Sequence, residues 1–180
     1  SQRIRMIFQD PSTSLNPRQR VSQILDFPLR LNSDFDDAER EKRIIATLRQ
    51  VDLLRDHAGY YPHMLAPGQK QRLALARALI LQPKVIVADE ALASLDMTMR
   101  SQLVNLMLEL QEKHGIAYIY VTQHLGMMKH ISDQVLVMHQ GEVVERGGTA
   151  DVLASPLHDL TKRLITSHFG EALTAEAWRK

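Results

Sequence analysis

The apolar run Val85-Ile86-Val87-Ala88 ends on Asp89 and Glu90, so a strand there would deliver two adjacent carboxylates to one edge of a sheet. One of them can hold Mg²⁺, largely through water, and the other can polarise an attacking water. A second strand-like run closes on Val121-Thr122-Gln123-His124, which puts an imidazole where it can contact a phosphate. A third, at residues 4–8, closes on Gln9, whose amide can ligate a metal or orient water. In open α/β sheets ligands sit beyond the carboxyl ends of the strands, so these three ends come first. Each alone has a plainer reading. An Asp-Glu pair after a strand is equally well explained as solvated loop charge, a single histidine is more often structural, and a loop glutamine is ordinary. What joins them is Leu65-Ala66-Pro67-Gly68-Gln69, upstream of the carboxylates and followed by Lys70-Gln71-Arg72. A helix that starts there offers free N–H groups to an anion.

The elements that must position these residues follow from spacing. Strands are expected at 4–8, 85–89, 117–122, 134–138 and 142–146, the last two joined by a tight turn at His139-Gln140-Gly141. The apolar character of 85–89, 117–122 and 134–138 predicts buried parallel strands, covered on both faces. Helical spacing of apolar residues predicts helices at 21–31 and 37–54, with Asp36 or Asp37 as a cap and Ile44, Ile45, Leu48 and Val51 on one face. A third opens at Gly68 and runs to Leu81, ahead of Pro83. A fourth, Met97–His114, has Gly115 just past its end, and a last one begins near Pro156. The strand–helix–strand over 85–122 is a βαβ unit. No internal repeat is evident.

Composition sets the outer limits. The chain has 180 residues, 44% hydrophobic and 24% charged, which predicts one soluble globular unit or the larger part of one. With no cysteine, disulfide frameworks, thiolate metal sites and cysteine nucleophiles are excluded. A net charge of +1 and 5% aromatic residues give no general attraction to nucleic acid and no stacking platform for it. No apolar run approaches the roughly 20 residues of a membrane-spanning helix. The histidines other than His124 show no metal-binding spacing such as His-Glu-x-x-His.

Taken in order, the quoted segments resemble the ATP-binding subunits of ATP-binding-cassette (ABC) transporters, over nearly the whole chain. The resemblance makes Gln9 the Q-loop glutamine, Leu65, Ala66, Pro67, Gly68 and Gln69 the signature motif, and Val85–Glu90 the Walker B strand. Asp89 and Gln9 would then hold Mg²⁺, Glu90 would be the catalytic base and His124 the switch histidine on the γ-phosphate. Ala93-Ser94-Leu95-Asp96 resembles the D-loop, with Ser94 and Asp96 as its polar members. Phe8-Gln9-Asp10-Pro11, Ser14-Leu15-Asn16-Pro17-Arg18, Tyr61-Pro62-His63 and the tail Ser155–Leu164 resemble the oligopeptide and dipeptide permease branch, with Asp159-Leu160 standing where that branch has Pro-Tyr.

That resemblance implies an α/β, P-loop NTPase fold of the ABC ATPase type, truncated, with a helical subdomain beside a mainly parallel core sheet. It divides the chain into a core strand and Q-loop at 1–9, a helical subdomain with the signature at 10–81, a RecA-like core at 82–148 and a helical tail at 149–180. It implies ATP and Mg²⁺ as cofactors. The partners are a second ATPase subunit, forming a heterodimer, two membrane-spanning permease subunits and, indirectly, a periplasmic binding protein, with no nucleic acid. The subunit would sit peripherally on the cytoplasmic face of a bacterial inner membrane. It would energise movement of peptides, antimicrobial ones included, or of a polyamine such as putrescine. Two other readings stay open, a non-catalytic scaffold docked on the transporter and a soluble ABC ATPase of DNA repair or translation; the latter would need a coiled-coil insertion or tandem cassettes.

Two departures from the family stand out. None of the eight glycines is followed by Lys and then Ser or Thr, so the phosphate loop G-x-x-x-x-G-K-[ST] is absent from these residues and weak ATP binding is expected. The simplest account is a truncated N terminus. The family's Leu-Ser-Gly-Gly-Gln is here Leu65-Ala66-Pro67-Gly68-Gln69, which removes a hydroxyl and a backbone N–H from the signature. Because that motif serves the nucleotide of the opposite subunit, an asymmetric pair of ATP sites is expected.

Overall fold

A computed structural model describes residues 3–169. The chain divides into two compact units, residues 1–121 and 122–180. In the first, strands β1 (Ile4–Ile7), β2 (Val85–Asp89) and β3 (Ala117–Val121) form a parallel sheet with β2 in the middle. Between β1 and β2 come α1 (Pro11–Ser14), α2 (Val21–Asn32), α3 (Asp37–Gln50), two 3₁₀ turns (Arg55–Gly59 and Pro62–Met64) and α4 (Pro67–Leu79). The crossover from β2 to β3 is α5 (Met97–His114), as the βαβ pattern predicts.

The helices begin and end where local chemistry tells them to. Asp36 caps α3 by accepting from the Glu39 N–H at 2.8 Å. That helix stops at Gln50 rather than running to 54, because Asp52 takes a left-handed conformation, φ 54°. Ile44, Leu48 and Val51 are buried as the spacing requires, while Ile45, expected on the same face, is only half-buried. α4 opens at Pro67, one residue before the expected Gly68, since the missing N–H and fixed φ of proline suit the first helical position. α5 ends on Gly115, φ 62°, whose N–H reaches the Gln111 carbonyl at 2.8 Å. α4 packs on β1 and against α1, α2 and α3, and Leu25, Leu29, Leu48, Leu73 and Leu75 are among the largest fully buried side chains of this core.

One face of the sheet differs from expectation. Ile7, Ile86 and Ala88 turn inward and are buried, but on the opposite face Ile4 is 53% exposed, Met6 41%, Ile119 54% and Val121 49%. An unbroken apolar run records what a strand is able to bury, not what covers it, and among the described residues that second face is open.

The second unit holds α6 (Leu125–Ile131), β4 (Gln134–His139), β5 (Glu142–Gly148), α7 (Thr149–Ala154) and α8 (Asp159–Phe169). Among the described residues β4 does not join the parallel sheet as expected for 134–138; the tight turn after it folds β5 straight back, and the two pair antiparallel in a sheet of their own. Gln140 (φ 49°) and Gly141 (φ 86°) make the tight hairpin turn that residues 139–141 predict. Val135, Val137 and Val152 form its core, with Met128, Val144 and Leu160 around them. α8 starts at Asp159 rather than near Pro156, because both oxygens of the Glu145 carboxylate accept the N–H groups of Leu157 and His158, at 2.8 and 3.0 Å, and hold that segment outside the helix. The tail expected at 149–180 is described as far as Phe169, and its remainder lies outside the described residues.

Candidate functional site

Register fixes the site. Ile7 pairs with Ala88 and Asp89 with Val121, so Gln9, Asp89 and Glu90 all emerge at the carboxyl end of one sheet. Asp89 is the last residue of β2 and half-buried, while Gln9 is exposed, just beyond the end of β1. The Glu90 N–H donates to the Val121 carbonyl at 2.9 Å, which extends the ladder one residue past the strand. The chain then turns sharply: Glu90 has φ 47°, a left-handed conformation that costs an L-residue about 1–3 kcal/mol. Its Oε2 is buried and meets no hydrogen-bond partner among the described residues. A carboxylate held by its backbone with one oxygen unmet is prepared to accept a proton or to order a water.

Among the described residues, no group of three or more His, Asp or Glu is placed to hold a metal. Asp89 and Gln9 offer two oxygen ligands, a set that fits Mg²⁺, which keeps several waters and takes further ligands from substrate phosphates.

Beyond Glu90 the chain is held by side chains from two helices. Gln71 of α4 donates through Nε2 to the Ala91 carbonyl. Arg100 of α5 donates to the carbonyls of Leu92 and Leu95 at 3.2 and 2.9 Å. Asp96 caps α5, accepting from Met99 N–H at 2.9 Å, and Ser94 is exposed. Sequence reading had no role for Gln71 or Arg100; the available signal was a glutamine on the inward, apolar face of α4, beside Leu75 and Ala78.

At the start of α4 Leu65 is buried and Ala66 is the cap residue, without a side-chain cap bond. Gln69 Oε1 accepts from the Ala66 N–H at 2.9 Å, so this glutamine secures its own helix start. At Gly68 an added Cβ would lie 3.0 Å from Met99 Sδ, which brings the start of α4 against the first turn of α5. Gln9, Asp89, Glu90, Ser94, Asp96 and residues 65–69 therefore share one unit. His124 belongs to the second, where it precedes α6, is half-buried, and donates its backbone N–H to Thr122 Oγ1 at 3.1 Å. On the inward face of β3, Tyr118 and Tyr120 stack with ring centres 5.6 Å apart, and burial pushes both phenols well above their ordinary value.

A parallel sheet with two carboxylates and an amide at its carboxyl end is the frame on which nucleotide-binding domains are built, and the comparisons with known proteins give the family. The family model described as ABC transporter matches residues 1–93. The putrescine export system ATP-binding protein SapF of Escherichia coli (strain K12) is 84% identical over all 180 residues, which cover 67% of that protein. The dipeptide transport ATP-binding protein DppF of Haemophilus influenzae is 39% identical over 165 residues, 92% of this chain and 50% of that one. Among solved structures, the dimeric ATP-binding cassette MJ0796 bound to ADP and Pi superposes with a TM-score of 0.70 at 27% identity, covering 82% of this chain and 63% of that one. The chain belongs to the ABC transporter family, on its ATP-binding side, and these relatives bear out the peptide-permease branch. It spans about two thirds of the length of the first relative and half that of the second.

Proposed function

We propose that this chain is the ATP-binding and ATP-hydrolysing part of a subunit that energises a bacterial ABC transporter for peptides or for a polyamine such as putrescine. The observation that carries this is Glu90, fixed by its own backbone at the end of β2 with a buried, unmet carboxylate oxygen. In this reading Glu90 takes the proton of the water that attacks the γ-phosphate. His124 contacts that phosphate and steadies its charge. Asp89 and Gln9 hold Mg²⁺, which when bound neutralises phosphate charge. Ser94 and Asp96 face the dimer partner, and residues 65–69 face the partner's nucleotide.

Dimer closure on two ATP molecules then supplies the stroke, and hydrolysis resets it. Within the proposed subdomain of residues 10–81, the segment Pro11–Arg30 meets the permease subunits at the cytoplasmic face of the inner membrane. It also carries exposed apolar surface at Phe27 and, next to it, Leu31. Ala66 brings no hydroxyl and Pro67 no N–H to the signature, so the site this chain completes on its partner is the weaker of the two.

The test is Glu90→Gln in a subunit of the full length of its relatives, assembled with its permease. ATP turnover is expected to fall by at least about 100-fold, the typical share of a general base, with nucleotide binding retained. Turnover at the unaltered rate would overturn the assignment.

A further inference from the structure

Gln71 lies in the first turns of α4 and is 1% exposed. Its Nε2 donates to the Ala91 carbonyl, while its Oε1 is buried and meets no partner among the described residues. The contact fixes which way round the amide lies, since the reverse would set oxygen against oxygen. Burying half an amide without a partner costs stability, so packing alone does not account for a glutamine here. What it holds is the residue after Glu90.

The same turn is fastened on its other sides as well. Glu90 N–H ties it to β3, Ala93 N–H closes it on the Glu90 carbonyl at 2.9 Å, and Arg100 ties it to α5. Gln71 supplies the link to α4, the helix whose first residues are the signature. That helix start is itself confined, by Gln69 bonding back to Ala66 and by Met99 against Gly68. A displacement of residues 66–69 therefore moves a stiff helix that grips Ala91 within its first turns.

We infer that Gln71 is a positioning residue that locks the turn bearing Glu90 to α4, so that engagement of the signature is transmitted to the carboxylate. This rests on the reading of Glu90 as the general base. In a dimer where each signature serves the opposite nucleotide, the state of one ATP site is thereby felt by the base of the other.

The experiment uses Gln71→Met in the full-length subunit assembled with its permease; the substitution keeps length and volume and removes the donor. The expected result is a kcat lowered about tenfold or more with KM for ATP within about twofold, the pattern of an interaction made in the transition state. Amide hydrogen exchange at Ala93 and Leu95 should quicken while exchange in α2 and α3 stays unaltered. Unchanged kcat would overturn the proposal, and so would exchange that quickens equally throughout the unit. Should the Met variant not assemble, Gln71→Asn, which keeps the amide but falls a methylene short, is read in the same way. Glu90→Gln measured alongside separates two failures. Full turnover there removes the role of Glu90, whereas an inactive Glu90→Gln beside a fully active Gln71→Met removes only the tie.

Discussion

Ala66→Ser is expected to stabilise the first unit and to tighten the ATP site that the signature completes. Ala66 caps α4 with φ −65° and ψ 159°, and Gln69 already accepts its N–H, so half of a capping box is in place. A serine Oγ would accept the free N–H at Gln69 and complete the box, a gain of about 1 kcal/mol within a range of roughly 0.5–2. For a unit of this size that raises Tm by about 3–5 °C. The same hydroxyl would face the partner's nucleotide, where a hydrogen bond to a charged group is worth about 1.5–3 kcal/mol, or roughly 10- to 150-fold in apparent affinity. Adding Pro67→Gly restores an N–H but loosens the unfolded chain at a cost of about 0.4–1 kcal/mol. The double variant should therefore return close to the starting stability while keeping the tighter site. Urea unfolding followed by circular dichroism reads the first effect, and the ATP-concentration dependence of turnover in the assembled transporter reads the second. An Ala66→Ser variant with no gain in stability would refute the geometry given for the start of α4. One that is stabilised yet shows unchanged ATP dependence would refute the assignment of residues 65–69 to the partner's nucleotide.

Glu90→Gly and Glu90→Val should both be inactive, but the valine variant should be less stable by more than about 1 kcal/mol, because a β-branched residue tolerates the left-handed conformation poorly; equal urea midpoints would remove the strain. Burial holds the phenols of Tyr118 and Tyr120 protonated well above 10.0, so their contribution is complete below pH 10 and declines as pH rises beyond it. The double variant Tyr118→Phe, Tyr120→Phe should lose stability less steeply between about pH 10 and 11, and parallel urea midpoints across that interval would contradict this. The open apolar face of the sheet should bind an environment-sensitive dye, and Ile119→Thr with Val121→Thr should reduce that fluorescence; a chain that binds no dye would contradict it.

Much of the fold was legible because its signals are local. β-Branched runs marked β2 and β3, Asp36 and Gly115 marked helix ends, and Gln140-Gly141 marked the hairpin. α6 and α7 escaped notice, since helices of seven and six residues show too little of a 3.6-residue period, and Gly126 interrupts the first. The end of α3 was misplaced because the left-handed Asp52 is set by packing around Val51 and Leu53, not by a breaker residue. At the site, residue types and order were visible, as was the edge of the sheet they share. The bonds from Gln71 to Ala91 and from Arg100 to Leu92 and Leu95 were not, because a side chain that grips a backbone carbonyl leaves no pattern in the sequence.

The carboxyl end of the sheet also has two mechanical characters. Asp89 is inside a hydrogen-bonded strand and Glu90 is clamped by its neighbours, whereas Gln9 stands exposed beyond the last paired residue of β1. If Gln9 takes part in Mg²⁺ and nucleotide binding as proposed, it gives up rotamer freedom when the ligand arrives, at about 1–2 kcal/mol for a glutamine. A calorimetric comparison of Asp89→Ala with Gln9→Ala should therefore separate mainly in the entropy of ligand binding. On that proposal the loop that begins at Gln9 is the compliant jaw of a vice whose other jaw is already set.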